Sequence, residues 1–314
     1  MTNPYLPVNR LEFTVTLACT SRCRHCSRGG ELGSAGAVDK AAAVRAVKEL
    51  AAVTNLASVM TFGGEPLLRA DTTCAILRAA AESGVGSPQI ITNGFFSREE
   101  AVIDGVAKEL AASGVKSILL SVDGFHAEHV PMEYVRRFAE ALLDAGAKGL
   151  KLHPAWVVNR AHRNPHNAAT ETALEAFADL GIPVSGGNDI FPAGNAAKHL
   201  AEYYPKAAPD LDIRCGEAPY TDPLDAVTSL SVNPNGDVVV CDFVIGNIEA
   251  EGIGEIVARY NPYAAPAMAA LLKVGVRGLM DYGESRGVSV NSGDYTSACG
   301  VCHAVQAQLQ RNQV

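Results

Sequence analysis

The chain has 314 residues, 48% apolar and 19% charged, and its 26 Lys and Arg against 34 Asp and Glu give a net charge of −8. The apolar content excludes a disordered chain. No run of Lys or Arg exceeds a dipeptide, which argues against nucleic acid as a partner. The amino-terminal sequence lacks a signal-peptide pattern, and no apolar run approaches the roughly 18 residues that cross a bilayer. We therefore expect a cytoplasmic protein without membrane contact.

Segments of strand character alternate with helical segments over residues 1–195, which we expect to form the first domain. The pattern predicts strands over residues 11–17, 58–62, 89–92, 117–122, 150–158 and 183–191. It predicts helices over residues 39–53, 67–83, 98–113, 132–145 and 170–180. Such alternation indicates parallel strands joined by right-handed crossovers. Because six strands fall short of the eight of a closed barrel, we expect an α/β fold with a partial (β/α)6 barrel of the TIM type.

The pattern changes after residue 195, and we expect residues 196–314 to form a second, smaller domain. Residues 229–241 contain two β-rich runs around Asn235-Gly236, which predicts a hairpin. Short helices are predicted over residues 254–260 and 266–274, followed by a loop rich in Gly and Ser that ends at Cys299. Half of the eight cysteines fall in this region.

A cysteine triplet follows the first predicted strand. Cys19, Cys23 and Cys26 have C-x3-C-x2-C spacing, at the strand end where barrel enzymes place their chemistry. In a reducing compartment such cysteines are more often metal ligands than disulfides. Three thiolates can hold a [4Fe–4S] cluster and leave one iron open to a ligand. The alternative is a zinc site, which needs a fourth ligand that the intervening His25 is poorly placed to supply.

This spacing resembles that of the radical S-adenosylmethionine (radical SAM) superfamily. Gly63, Gly64, Glu65 and Pro66 follow the second predicted strand and resemble the family's GGE(P) motif, which is expected to bind the methionine ammonium of SAM. Glycines allow backbone and ligand to approach closely, and a carboxylate accepts a charge-assisted hydrogen bond from an ammonium group. An isolated match of this kind would indicate only a turn.

Two further strand ends fit the resemblance, which covers about residues 9–195. Asn93 and Ser121 resemble family positions that contact the SAM carboxylate and ribose, although each segment also fits a simple turn. The resemblance implies a [4Fe–4S] cluster that binds SAM and cleaves it reductively to a 5′-deoxyadenosyl radical, which abstracts hydrogen from a substrate. It also implies an electron donor such as flavodoxin or ferredoxin.

The second cysteine group comprises Cys215, Cys241, Cys299 and Cys302. It resembles the SPASM or twitch extension of radical SAM enzymes, which implies one auxiliary [4Fe–4S] cluster, whereas zinc on four thiolates is the alternative. If only three of them bind iron, Cys241 would be free to return a hydrogen atom to the substrate radical, as in an epimerase. If all four bind iron, the cluster would accept an electron, as in an oxidase.

We therefore expect a radical SAM oxidoreductase that dehydrogenates or cross-links a natural-product substrate. The substrate would be a small polar molecule such as an amino sugar, or a peptide. The alternatives are an epimerase of a sugar or peptide that uses Cys241, and a non-catalytic iron–sulfur or zinc protein. His153 and Trp156 are candidates for substrate contact, although such residues more often pack in the core. Cys74 is expected to be a buried small hydrophobe.

Overall fold

A computed structural model describes residues 3–30, 33, 36–205, 207–218 and 221–312. One sheet of eight strands dominates it, and a separate sheet has two. The strands are β1 Arg10–Thr16, β2 Ser58–Gly63, β3 Ser87–Thr92, β4 Ser117–Leu120, β5 Leu150–Leu152, β6 Ala155–Val157, β7 Asn188–Ile190, β8 Ser229–Val232, β9 Asp237–Val240 and β10 Phe243–Asn247. The order in the large sheet is β10-β9-β8-β1-β2-β3-β4-β5, with β1 to β5 parallel. The expected α/β fold with a partial barrel is confirmed.

Helices connect the parallel strands and cover the sheet. They are α1 Lys40–Val53, α2 Ala70–Glu82, α3 Glu100–Ala112, α4 Gly124–Ala127, α5 Met132–Asp144, α6 Pro165–Glu175, α7 Asn195–His199, α8 Ile253–Arg259, α9 Pro266–Val274, α10 Val276–Glu284 and α11 Ala298–Arg311. Polar side chains start several of them: Asp39 accepts a hydrogen bond from the Ala42 backbone at 2.8 Å. Within the described part of the chain, no helix has the length and apolar character needed to cross a membrane.

Strand β1 lies inside the large sheet, and the cysteine triplet follows its carboxyl end. Its residues Leu11, Phe13 and Val15 are fully buried, because β1 is paired on both edges, to β2 and to β8. The apolar core on this side is continuous from β1 and α1 to the carboxyl-terminal helices. The carboxyl end of β1 is therefore held on both sides before the chain enters the cysteine triplet.

The fifth and sixth predicted strands differ from expectation. The segment 150–158 is divided into β5, which pairs with β4, and β6, which pairs with β7. The segment 183–191 contributes a single bridge from Val184 to Leu152 and then β7. The division falls at His153-Pro154, because proline has no N–H to continue a ladder. The helix predicted over residues 170–180 begins earlier, at Pro165, after the cap Asn164.

The carboxyl-terminal hairpin is confirmed as β8 and β9, joined through Asn235 and Gly236. Strand β8 pairs in parallel with β1, from Arg10 opposite Ser229 to Phe13 opposite Val232. The hairpin thus extends the barrel sheet, and the domain boundary near residue 195 remains a prediction. Helices α8 and α9 match expectation, whereas the predicted loop that follows contains α10, and α11 begins at residue 298.

Candidate functional site

The cysteine loop, residues 19–26, opens into a cavity of about 360 Å³ at the carboxyl ends of the parallel strands, which we name the main cavity. Cys19, Cys23 and Cys26 all line it, with Cys23 buried and the other two half-buried. Burial raises the pKa of the Cys19 thiol to about 11 and also raises that of Cys26. Since metals bind the thiolate, a bound metal ion would have to displace these protons.

The cysteine loop is held by hydrogen bonds to its sulfurs and carbonyls. Ser21 Oγ lies 2.8 Å from Cys23 Sγ, and the Ser21 backbone N–H donates to Cys19 Sγ at 3.4 Å. Asn195, at the start of α7, also holds the loop. Its backbone N–H donates to the Cys26 carbonyl at 3.0 Å, and its side-chain amide donates to the Cys23 carbonyl at 3.2 Å. Sequence reasoning missed Asn195, because no local pattern indicates a partner so distant along the chain.

Gly63 and Gly64 bring the end of β2 against the end of β1, just before the cysteine loop. A Cβ atom on Gly63 would lie 2.5 Å from the Thr16 carbonyl oxygen, and one on Gly64 would lie 2.1 Å from that of Ala18. The backbone contacts are direct, because the Gly64 N–H donates to Thr16 at 2.7 Å and the Glu65 N–H donates to Ala18 at 2.8 Å. Only glycine permits this approach, so the motif braces the backbone that leads into the cysteine loop.

Glu65 is fully buried behind the cavity wall. Its carboxylate accepts hydrogen bonds from the Leu67 N–H at 2.9 Å, the Thr92 hydroxyl at 2.7 Å and the Asn93 N–H at 2.8 Å. Burial raises its pKa to about 7, although these hydrogen bonds oppose the shift. Neither Glu65 nor Pro66 lines the main cavity. The contact of Glu65 with an ammonium group remains a prediction. In the structure, its carboxylate links the end of β2 to the end of β3 by hydrogen bonds.

Asn93 and Ser121 lie where predicted, at the ends of β3 and β4, and both line the main cavity. Asn93 Oδ1 accepts from the Phe95 N–H at 2.8 Å, which forms a local turn. Its amide donates to Thr20 Oγ1 at 3.1 Å and approaches Cys19 Sγ at 3.7 Å. Asn93 therefore shapes a turn and also contacts the cysteine loop.

A buried ion pair forms another part of the wall. His126 Nδ1 lies 2.9 and 2.8 Å from the two carboxylate oxygens of Asp123, and Asp123 also accepts from the Phe125 and His126 backbone N–H groups at the start of α4. Burial disfavours the charged form of each residue, but the attraction of the oppositely charged partner is stronger than this effect. The pKa of Asp123 is held at about 2, and that of His126 is raised well above its usual value. The pairing with Asp123 therefore favours the protonated form of His126 in this wall.

Two other histidines, His25 and His153, line the main cavity, and burial favours their neutral forms. Burial lowers the pKa of His25 to about 4, and its ring lies 4.8 Å from that of Phe125. Burial also lowers the pKa of His153. His153 Nδ1 lies 2.8 Å from Ser185 Oγ, while its buried Nε2 has no hydrogen-bond partner among the described residues. Trp156 is instead a core residue, 1% exposed, whose indole donates to the Gly186 carbonyl at 3.0 Å.

The four carboxyl-terminal cysteines meet in a second pocket, which we name the C-terminal cysteine pocket. It is lined by cysteines that are widely separated in the sequence, Cys215, Cys241, Cys299 and Cys302. Burial raises the pKa of Cys215 to about 11 and that of Cys302 to about 12, and it raises those of the other two. Cys241 does not line the main cavity.

Cys241 reaches the C-terminal cysteine pocket through an unusual backbone. It lies in the two-residue connection between β9 and β10, with φ of +53°, a left-handed conformation that favours glycine. Cys299 and Cys302 lie three positions apart at the start of α11, on one face of the helix. Cys74 lies in α2, fully buried and lining neither site, which agrees with its expected packing role.

The geometry can be compared with known proteins. The chain is similar to the GTP 3′,8-cyclase of Moorella thermoacetica, with 25% identity over 225 residues, 65% of this chain and 67% of that protein. For the GTP 3′,8-cyclase of Pelotomaculum thermopropionicum the identity is 27% over 215 residues, 65% of this chain and 62% of that protein. The chain thus spans about two thirds of the length of these relatives.

In structure, the chain is similar to Streptococcus suis SuiB bound to S-adenosylmethionine. The TM-score is 0.56 at 15% identity, over 94% of this chain and 77% of SuiB, so the two share a fold. The sequence profile of the Radical SAM superfamily matches residues 13–198, which is more than half of the chain and includes the cysteine loop and the glycine motif. The protein belongs to the radical SAM superfamily.

Proposed function

We propose that this chain is a radical SAM oxidoreductase with a SAM-binding [4Fe–4S] cluster on the cysteine loop and an auxiliary [4Fe–4S] cluster in the C-terminal cysteine pocket. Membership of the superfamily implies the first cluster and SAM. When bound, they supply a 5′-deoxyadenosyl radical from the one-electron reduction of SAM, and this radical takes a hydrogen atom from a substrate C–H bond. The protein must position the reacting groups and exclude water.

The residues around the main cavity fit the first cluster. Its wall offers three cysteine sulfurs, which leaves one iron of a cubane available to a ligand. Gly63 and Gly64 approach the backbone of Thr16 and Ala18, just before the cysteine loop, at distances where a side chain would clash. Asn93 adds an amide donor beside Cys19. These groups hold the cysteine loop against the strand ends and leave the cavity open in front of it.

The auxiliary cluster is supported by one observation above all: four cysteines from three separate segments of the chain line one pocket. Four thiolates complete the coordination of a cubane. When bound, such a cluster would supply an acceptor for one electron from the substrate radical, whose proton would pass to solvent, so that the product would be oxidised by two electrons overall. One electron then enters with SAM cleavage and one leaves, so the electrons balance.

Oxidation is favoured over epimerisation by the position of Cys241. A thiol that returns a hydrogen atom must reach the substrate radical, but Cys241 lines the C-terminal cysteine pocket and not the main cavity. Cys241 is an exposed residue overall, but the protein atoms around its thiol desolvate it and raise its pKa strongly. The four-cysteine grouping therefore supports a role for Cys241 as an iron ligand.

The substrate is proposed to be a small polar molecule or a peptide side chain. The main cavity is lined beyond the cysteine loop by polar residues that include His153, Asn188 and Asp189. The relatives are GTP cyclases, but Arg28 is the one Lys or Arg among the described residues that line this cavity. A triphosphate is bound through several cationic groups. The cavity thus fits an uncharged or weakly charged polar substrate better than GTP.

The test uses full-length protein reconstituted anaerobically with iron and sulfide. With SAM and dithionite it should release 5′-deoxyadenosine, Cys19→Ala should abolish this release, and the matched control Cys74→Ala should retain it. Iron and sulfide analysis should give about eight of each per chain, since two cubanes hold four irons apiece. About four irons together with one zinc would overturn the auxiliary cluster, and absence of 5′-deoxyadenosine would overturn SAM cleavage.

A further inference from the structure

An amide side chain is buried beside the C-terminal cysteine pocket. Gln306 on α11 is 4% exposed, and its Nε2 donates a hydrogen bond to Cys302 Sγ at 3.3 Å. Its helix neighbours Val305 and Leu309 belong to the apolar core. An amide in such a place destabilises the fold unless it is hydrogen-bonded. The hydrogen bond to Cys302 is therefore what allows Gln306 to be buried here.

The acceptor is a cysteine sulfur, which is a weak acceptor as a thiol and a much stronger one as a thiolate. The hydrogen bond from Gln306 Nε2 to Cys302 Sγ therefore favours a thiolate at this position. Gln306 thus serves the charged form of Cys302, the form that binds a metal.

Helix geometry fixes the contact. Cys302 and Gln306 lie four positions apart and so share a face of α11, with Cys299 one turn earlier. Ser297 caps the helix by accepting from the Gly300 N–H at 3.1 Å. Because two ligands and the amide stand on one capped helix, a cluster in the pocket would meet the Gln306 N–H at a fixed distance from one of its sulfurs.

We propose that Gln306 raises the reduction potential of the auxiliary cluster by donating a hydrogen bond to the Cys302 sulfur. This inference rests on the auxiliary cluster proposed above. A donor aimed at a cluster sulfur stabilises the more negative, reduced state, and hydrogen bonds to the sulfurs are among the factors that set cluster potentials. A higher potential makes the cluster a better acceptor for the electron lost by a substrate radical. Gln306 is a positioning and tuning residue and touches no substrate.

The experiment isolates the auxiliary cluster in the full-length chain. Cys19, Cys23 and Cys26 are replaced by Ala, so that one cluster of about four irons remains, and its potential is measured by redox titration followed by electron paramagnetic resonance. In this background Gln306→Leu should lower the potential. We expect the reduction equilibrium constant to fall about tenfold, the size of effect of one hydrogen bond to a charged group, or about 59 mV for a one-electron couple.

The matched control is Gln308→Leu, the same change on the same helix but about 200° around it from Gln306. This control should leave the potential unchanged. If Gln306→Leu loses iron, Gln306→Met is measured instead, because methionine has a similar length and no donor. A Gln306 variant with four irons and the parent potential would overturn the inference. Absence of iron from the unmodified pocket would overturn the auxiliary cluster itself.

Discussion

The carboxylate of Glu65 accepts a hydrogen bond from the backbone N–H of Asn93 at 2.8 Å, across 28 sequence positions. This contact ties the end of β2 to the end of β3 immediately behind the wall of the main cavity. Because Asn93 in turn donates to Thr20 at 3.1 Å, the buried carboxylate indirectly positions the cysteine loop. Glu65 therefore has a structural role that the GGEP motif alone does not indicate.

Replacement of Glu65 by Gln should destabilise the metal-free protein. Both carboxylate oxygens accept hydrogen bonds from fixed donors, so the amide NH2 of glutamine would face a donor and leave it unsatisfied. The expected loss is about 2 kcal/mol, measured from the urea midpoint. Glu82→Gln, at the exposed end of α2, is the control and should unfold at the parental midpoint. Equal midpoints for all three proteins would contradict this role.

The raised pKa of Glu65 also predicts a pH dependence. A carboxyl group with a folded pKa of about 7 and an ordinary value of 4.5 binds more protons in the folded protein than in the unfolded one between these values. Its contribution to stability is therefore full below about pH 4.5 and is lost as the pH rises through 7, by up to about 3 kcal/mol. The stability of the parent relative to Glu65→Gln should increase as the pH falls from 7.5 to 5. A difference that does not vary with pH would contradict the shift.

Gly64→Ala should disrupt the cysteine loop. The new Cβ would lie 2.1 Å from the Ala18 carbonyl oxygen, so the backbone must move, and we expect 5′-deoxyadenosine release to fall at least tenfold. Gly105→Ala is the matched control, because a Cβ there meets nothing within 4 Å in α3. This control should keep activity and gain about 0.5–1 kcal/mol of stability. Full activity of Gly64→Ala would show that the close approach is not required.

Asp123→Asn should discharge His126. Without the carboxylate, burial lowers the pKa of the imidazole, so His126 should be neutral at pH 7, as measured by the pH titration of its ring signals in nuclear magnetic resonance. The buried pair loses one partner, and we expect a stability loss of about 3 kcal/mol. Because the pKa of Asp123 is about 2 in the folded protein, this stabilisation is present above about pH 4 and is lost as the pH falls through 2. The exposed Asp144→Asn should change neither quantity.

Replacements of Cys241 should separate backbone strain from metal binding. Both Cys241→Gly and Cys241→Ala should lower the iron content from about eight to about four per chain. The glycine variant should be more stable than the alanine variant by about 1 kcal/mol in the metal-free form, because φ of +53° is strained for a residue with a Cβ. Thermal unfolding of the metal-free variants measures this difference, and identical melting temperatures would argue against the strain.

Local patterns predicted the cysteine loop, the glycine motif and the main parallel strands, because adjacent residues and periodicity determine these features. Helix α10 was missed because Gly278 and Gly283 lower its helical propensity. Gly278 is explained by packing instead, since a Cβ there would lie 2.6 Å from the Ala270 carbonyl oxygen of α9. The contact of Asn195 with the cysteine loop depends on tertiary structure and could not be read from its neighbours.

The parallel pairing of β1 with β8 has a consequence for biosynthesis. The two strands are separated by more than 200 residues. During translation, the edge of β1 that pairs with β8 therefore stays unpaired until most of the chain has left the ribosome. Such long-range pairing slows folding and exposes strand edges to aggregation. A fragment that stops at residue 195 would leave this edge of β1 without its partner strand. We therefore expect the proposed cluster on the cysteine loop to assemble only after the carboxyl-terminal third has been synthesised.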